Sequence, residues 1–153
     1  MITEDGINLI KHFEGKRNKV YPDTNGFATV GYGHLVQKKD SLKIGDIISD
    51  EKIDEFLLSD LQTAENKVNK YALLTLKQCE RDSLISQAFN LRTVSFIRLC
   101  NYLVQSKNLY LNKLLLYHKD ASGNVLEGLK TRRQSERLLF LGESWDKIKM
   151  NLE

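Results

Sequence analysis

Three polar residues stand close together where the chain must change direction: Glu14, Asp23 and Thr29. Glu14 falls where a helical pattern stops at Gly15, Asp23 lies beside Pro22 and just before Asn25-Gly26, and Thr29 follows that dipeptide in β-rich sequence. Taken alone, each has an ordinary explanation: a solvated acid at a helix end, a turn former, a strand residue. Together they allow more, because a helix end facing a hairpin can hold two carboxylates several ångströms apart across a groove. Glycoside hydrolysis needs that arrangement, with one protonated carboxylic acid to donate to the leaving oxygen and one carboxylate to act on the opposite face of the sugar. Thr29 would then hold a water.

The elements that must position these groups follow from periodicity. Ile7, Ile10 and Phe13 recur at helical spacing, Thr3 can cap the start, and Glu4 and Asp5 suit the positive end of the helix dipole, so a first helix is expected from Thr3 to about Glu14. Residues 17 to 36 hold the only proline, the Asn25-Gly26 turn dipeptide and the alternation Phe27, Thr29, Gly31, Gly33, which predict a small antiparallel sheet. After Gly45 the pattern is helical: about 50 to 69, then near 76 to 90, 94 to 106, 109 to 118 and 130 to 141, with a turn at Asp120 to Asn124. The order of helix, small sheet and helical bundle predicts an α+β domain with its sheet to one side.

Composition narrows the class. The chain has 153 residues, 41% hydrophobic and 28% charged, which suits one folded domain and excludes disorder or a fibrous repeat. No apolar run approaches the roughly 20 residues of a bilayer span, and the N-terminal Glu4 and Asp5 stand where a secretory signal would be basic. Cys79 and Cys100 are expected as free thiols within helices, and His12, His34 and His118 lie at no metal-ligand spacing, so no metal and no cofactor is expected. The net charge of +3 is uneven: residues 1–75 hold 10 Lys/Arg against 12 Asp/Glu, or −2, and residues 76–153 hold 13 against 8, or +5. The second half should attract a polyanion, either nucleic acid or an anionic wall polymer, yet no basic run is interleaved with aromatics as a nucleic-acid stacking groove requires.

The run Phe13-Glu14-Gly15, followed by Tyr21-Pro22-Asp23-Thr24-Asn25-Gly26-Phe27-Ala28-Thr29-Val30-Gly31-Tyr32-Gly33-His34-Leu35, resembles the active-site signature of the phage-type lysozymes, the muramidase endolysins. The resemblance continues through Leu57-Leu58-Ser59-Asp60-Leu61, Leu76-Lys77-Gln78, Asp82-Ser83-Leu84, Ala88-Phe89-Asn90, Gly128-Leu129-Lys130-Thr131-Arg132-Arg133 with Glu136, Leu139 and Phe140, and Ser144-Trp145-Asp146; residues about 91 to 118 are its weak stretch. Two departures stand out. Arg92 occupies a position where the family usually has glycine, and Leu115 to His118 replace a usual tryptophan.

The resemblance implies a single lysozyme-like domain over 1–153: a sheet lobe at about 15–50, an inter-lobe helix at about 50–69, and a helical lobe at about 70–153 joined by the N-terminal helix 3–14, with the active-site cleft between the lobes. It implies Glu14 as general acid, Asp23 as second carboxylate and Thr29 as water-positioning hydroxyl of an inverting glycosidase. Thr29 is expected at the cleft edge, burying little. Substrate contacts fall on Leu35, Phe89 and Asn90. Arg132 is implied as the cation that places Glu14, and His34 as the partner of Asp60 in an ion pair that ties the sheet to the long helix and makes stability depend on pH. The expected substrate is the β-1,4 link between N-acetylmuramic acid and N-acetylglucosamine in bacterial peptidoglycan. Neither nucleic acid nor stable membrane association is expected, and the chain is expected as a monomer, held in the host bacterial cytoplasm without a signal peptide until released onto the wall. A catalytically inactive glycan-binding or structural module of the same fold is the alternative; it predicts loss of Glu14 or Asp23, and both are present.

Overall fold

The computed structural model describes all 153 residues. The element order is α1 (Glu4–Glu14), β1 (Arg17–Pro22), β2 (Ala28–Gly31), β3 (His34–Leu35), α2 (Asp50–Tyr71), α3 (Gln78–Asn90), α4 (Thr93–Gln105), α5 (Lys107–Leu114), α6 (Glu127–Phe140) and α7 (Trp145–Met150). The α+β expectation holds. The chain divides into two compact units: Glu14–Thr63, and Met1–Phe13 together with Ala64–Glu153.

In the unit Glu14–Thr63 the three strands form one antiparallel sheet in the order β1-β2-β3. Tyr21 pairs with Thr29 and Pro22 with Ala28, whereas an irregularity between Arg17 and Tyr21 lets Arg17 pair with Gly31. Val20 and Val30, on the opposite face from Tyr21 and Thr29, bury against Phe56 of α2, and Ala28, Val36, Leu42 and Ile48 close the cluster. The start of α2 is capped by Ser49, whose Oγ accepts from the Lys52 amide at 3.2 Å. Gly31, at φ +66°, is required where β2 passes α2, since a Cβ there would meet the Ile53 side chain at 3.1 Å.

The other unit is helical and its polar interior is unusual. Glu136 on α6 is fully buried and accepts from Arg132 Nε at 3.1 Å, Arg133 Nη1 at 2.6 Å and Ser86 Oγ at 2.7 Å. Two cations and a hydroxyl therefore satisfy one carboxylate, the condition under which a buried charge is tolerated. Around this network lies apolar packing, including Leu9, Leu139, Trp145 and Ile148.

Several sequence expectations shift. Thr3 does not cap α1; its amide and hydroxyl both donate to the carboxylate of Asp82, tying the chain start to α3. The segment expected at 109–118 is helical only from Lys107 to Leu114, capped by Ser106, whose Oγ accepts from the Leu109 amide at 3.3 Å. The short α7 escaped the periodicity, its six residues spanning under two turns. Cys100 is buried and Cys79 half-buried, both free, and burial pushes the Cys100 thiol up to about 12. Arg92 has no left-handed backbone: Leu91 (φ −85°) and Arg92 (φ −62°) are extended and join α3 to α4 without the turn a glycine would serve.

Candidate active site

Asp23 organises its own turn. Its amide donates to the Phe27 carbonyl at 2.9 Å, and its carbonyl accepts from Gly26 at 3.0 Å, with Gly26 at φ +83°. Its Oδ1 accepts from the amides of Asn25 and Phe27, each at 2.8 Å. This is an aspartate turn of five residues rather than a two-residue hairpin, because the side chain supplies an acceptor that the Asn25-Gly26 dipeptide lacks. One carboxylate oxygen is thereby fixed by backbone, and Oδ2 receives no protein hydrogen bond.

Thr29 is anchored to the same loop residue. Its hydroxyl donates to the Phe27 carbonyl at 3.0 Å, so the Asp23 carboxylate and the Thr29 hydroxyl hold opposite ends of Phe27, one its amide and the other its carbonyl. At 6% exposure Thr29 is buried, which corrects the expectation of a threonine burying little at a cleft edge: pairing with Tyr21 on one side and Leu35 on the other places it in the central strand.

Glu14 closes α1, and the next residue, Gly15 at φ +68°, turns the chain into β1. The carboxylate is half-buried against the turn between β2 and β3. A Cβ on Gly33, at φ +73°, would lie 2.6 Å from Glu14 Oε2, so only glycine allows the backbone to come this close. Gly33 fixes the wall against which Glu14 rests, a role the Gly-Tyr-Gly pattern in the sequence did not specify.

Behind this turn His34 is held on three sides. Nδ1 lies 2.8 Å from Asp60 Oδ2, Nε2 lies 3.0 Å from Asp40 Oδ2, and the ring stacks on Phe56 with centroids 3.9 Å apart. Burial by itself pushes the imidazole pKa down, but hydrogen bonds and charge from Asp60 and Asp40 outweigh it and hold His34 above its ordinary value. Burial likewise pushes Asp40 up, and the Gln37 amide with His34 outweighs it, leaving Asp40 below the usual carboxylate value. The Asp60 partner matches expectation. Asp40 was missed, since an acid after two lysines in a short 3-10 turn carries no sequence signal of burial.

Glu14, Asp23, Thr29, His34, Leu35 and Asp60 thus share the unit Glu14–Thr63, whereas Phe89, Asn90 and Arg132 lie in the helical unit. Leu35 is exposed and paired with Thr29 across the strands. Phe89 and Asn90 are half-buried at the end of α3, and Asn90 Oδ1 accepts from Arg133, so its carbonyl is already engaged. Arg132 is held by Glu136 and by the Ser86 carbonyl, which accepts from Nη2 at 3.2 Å. No segment of the chain forms a helix long and apolar enough to cross a membrane.

The chain is similar to known proteins. Residues 11–136 match the family described as phage lysozyme. The chain is 37% identical over 149 residues to an endolysin of Bacillus phage B103, covering 94% of this chain but only 55% of that protein. It is 33% identical to an endolysin of Salmonella phage P22, covering 92% of this chain and 97% of that one. The solved endolysin from Escherichia coli O157:H7 phage FAHEc1 superposes with a TM-score of 0.82 at 26% identity, over 93% of this chain and 94% of the other.

Proposed function

The chain belongs to the phage lysozyme family, and from that membership we propose that it is a peptidoglycan hydrolase that cleaves the β-1,4 bond between N-acetylmuramic acid and N-acetylglucosamine with inversion. The observation that supports this most directly is the shared anchoring of Asp23 and Thr29 on Phe27, with Glu14 seated against Gly33 in the same unit. On this reading the whole chain acts as one lysozyme domain on peptidoglycan, as a monomer, and resides in the host cytoplasm until released onto the wall.

The chemistry follows from which atoms are already committed. Glu14 donates its proton to the glycosidic oxygen as the bond to the anomeric carbon breaks. The Thr29 hydroxyl proton is spent on the Phe27 carbonyl, so toward a water Thr29 can only accept. Asp23 Oδ1 is saturated by two amides, so Oδ2 is the oxygen left to receive a water proton. A water donating to both Thr29 Oγ1 and Asp23 Oδ2 turns its lone pair outward, toward the anomeric carbon. It attacks opposite the departing oxygen and passes its proton to Asp23. A separation of about 6.5–9.5 Å between the Glu14 and Asp23 carboxyls accommodates that water, against roughly 5–5.5 Å for a covalent route.

Digestion of purified peptidoglycan with mass-spectrometric and NMR analysis of the products tests the reading. Reducing-end N-acetylmuramic acid, first released as the inverted anomer, is expected. Anhydro-muramic ends would identify a lytic transglycosylase instead, and a retained anomer or an adduct on Asp23 would make that residue a nucleophile.

A further inference from the structure

The backbone of Phe27 is where the bonds of Asp23 and Thr29 converge. Its amide donates to Asp23 Oδ1 at 2.8 Å, and its carbonyl accepts from the Asp23 amide at 2.9 Å and from the Thr29 hydroxyl at 3.0 Å. All three bonds use the Phe27 main chain, so the side chain is spare. Of the six phenylalanines, six tyrosines and one tryptophan, Phe27 alone is exposed, at 60%. We propose that its ring is a stacking platform for a pyranose ring of the glycan strand, which makes Phe27 a specificity-determining residue of the reaction; the proposal rests on the hydrolase reading.

A single exposed apolar residue on a surface requires no explanation. Phe27 is not single. The bond from the Asp23 amide to the Phe27 carbonyl continues the ladder of β1 and β2 one residue beyond the pair Pro22–Ala28, so the pleat carries Phe27 to the face of Thr29. Leu35, 52% exposed, pairs with Thr29 on that same face. Two exposed apolar side chains therefore flank the Thr29 hydroxyl, with Phe27 about 6.5 Å along the strand from it. Tyr21, the other neighbour of Thr29 on this face, is already covered, since the Arg17 guanidinium lies 4.2 Å from its ring centroid.

The surroundings of the ring select a sugar. The axial C–H bonds of a pyranose form an apolar face, and the electron-rich face of an aromatic ring attracts such groups. Beside Phe27 stand Thr24 and Asn25, exposed and uncharged, which suit the hydroxyl and acetamido groups around a sugar's rim. A carboxylate-bearing peptide is matched less well, because the only charge from Asp23 to Phe27 is that of Asp23 itself. Because the ring is carried on the peptide groups that Asp23 and Thr29 hold, a sugar seated on it is placed in register with the water between them. The platform thus acts through binding geometry and not through proton transfer.

The test compares Phe27→Leu, Phe27→Tyr and Phe27→Trp with wild type on solubilised peptidoglycan strands. Leucine keeps apolar bulk but has no ring face, so its kcat/KM is expected to fall about tenfold, mainly through KM, while tyrosine and tryptophan stay within about threefold of wild type. Leucine equal to wild type would leave the ring without a role, and equal loss in all three would assign the effect to the turn; each overturns the proposal. Wild type inactive would sink the hydrolase reading instead, and binding then decides the platform by itself. In Glu14→Gln/Phe27→Trp the new indole is exposed while Trp145 is buried, so its fluorescence reports contact. A saturable blue shift on adding glycan strands stripped of their peptides by an amidase, absent from Glu14→Gln alone, supports the platform. No shift, or a shift given only by the free peptides, overturns it.

Discussion

At Asp23 and again at Asp120 one aspartate organises five residues in the same way. In both, the aspartate amide donates to the carbonyl four residues on at 2.9 Å, and a glycine three residues on returns a bond at 3.0 Å. The carboxylate Oδ1 takes the amides two and four residues on, at 2.8 Å in the first turn and 2.9 Å in the second. Gly26 stands at φ +83° and Gly123 at φ +85°. What differs is the surroundings. The first turn joins two strands of a three-stranded sheet, has Thr29 six residues after its aspartate, and shares its unit with Glu14. The second closes a single bridge between Lys119 and Val125, has Leu126 at the matching place, and its Oδ2 accepts from the Asn124 side chain, Nδ2, at 3.4 Å. The turn orients a carboxylate; on the proposed reading, the neighbours give it a reaction.

The largest effect expected is at Glu14, the acid that belongs to the same unit as the first turn. Glu14→Gln keeps the shape and removes the proton donor, so kcat should fall by roughly 10²–10⁴-fold with the fold intact. Asp23→Asn should follow, at about 10²-fold or more, because the amide oxygen can still accept both turn bonds while losing its capacity to take a proton. Asp120→Asn should leave kcat where it was. Clearing of a peptidoglycan suspension by proteins of matched circular dichroism reads all three. Equal losses at the two aspartates would mean that the turn itself, and not its setting, carries the activity.

Thr29→Val makes the first turn resemble the second, with an aliphatic residue six positions after the aspartate. The volume is kept, but the water loses an acceptor and the Phe27 carbonyl one of its two donors. An activity loss of about 10-fold to 100-fold is expected, with a stability cost near 1 kcal/mol for the lost hydrogen bond. Full activity with the stability cost present would restrict Thr29 to holding the loop.

A third difference is the support behind the first turn, where β3 is tied down through His34. The raised His34 contributes stability that is complete below its ordinary value near 6.5 and is lost as pH rises through its folded value. The lowered Asp40 contributes above the ordinary carboxyl value near 3.8 and is lost as pH falls through its folded value. Both are present between about pH 4 and 6.5. Asp40→Asn should therefore cost about 1.5–3 kcal/mol at pH 5.5, the usual worth of a charged hydrogen bond, and progressively less as His34 deprotonates. Denaturant melts across pH 4 to 9 measure it; a penalty independent of pH would mean that the imidazole carries no charge in the folded protein.

Much of this was legible in sequence, unevenly. The helix α2 announces itself because Ile53, Phe56, Leu57, Leu61, Ala64 and Val68 repeat at helical spacing, whereas α6 buries Arg132, Arg133, Ser135 and Glu136 where that pattern would put apolar residues; the sheet is legible because proline, glycine and alternation are concentrated in one segment. The proposed chemistry rests on Glu14, Asp23 and Thr29 as a spacing, but an aspartate followed three residues later by glycine occurs at Asp120 as well, and only residues outside the motif separate the two. Asp40 and Gly33 stayed hidden because their roles depend on what folds against them: an imidazole from a neighbouring strand for one, the carboxylate of Glu14 for the other.

The smallest effect lies at Asp120 and concerns stability alone. Backbone amides of Asn124, Ser122 and Gly123 and the Asn124 side chain hold its carboxyl below the usual range, with the Asn124 amide contributing most. A lowered carboxyl stabilises the fold above its ordinary value near 3.8 and ceases to do so as pH falls through the folded value. Asp120→Asn retains the geometry of the turn and removes the charge that those amides favour. The variant should melt slightly below wild type at pH 6, and the two curves should converge as pH drops toward 2. Because the group reaches solvent, added salt should narrow the gap at pH 6 as well. A gap that persists unchanged at low pH would show that the amide distorts the turn, and would separate geometry from charge in a loop where catalysis cannot confuse the two.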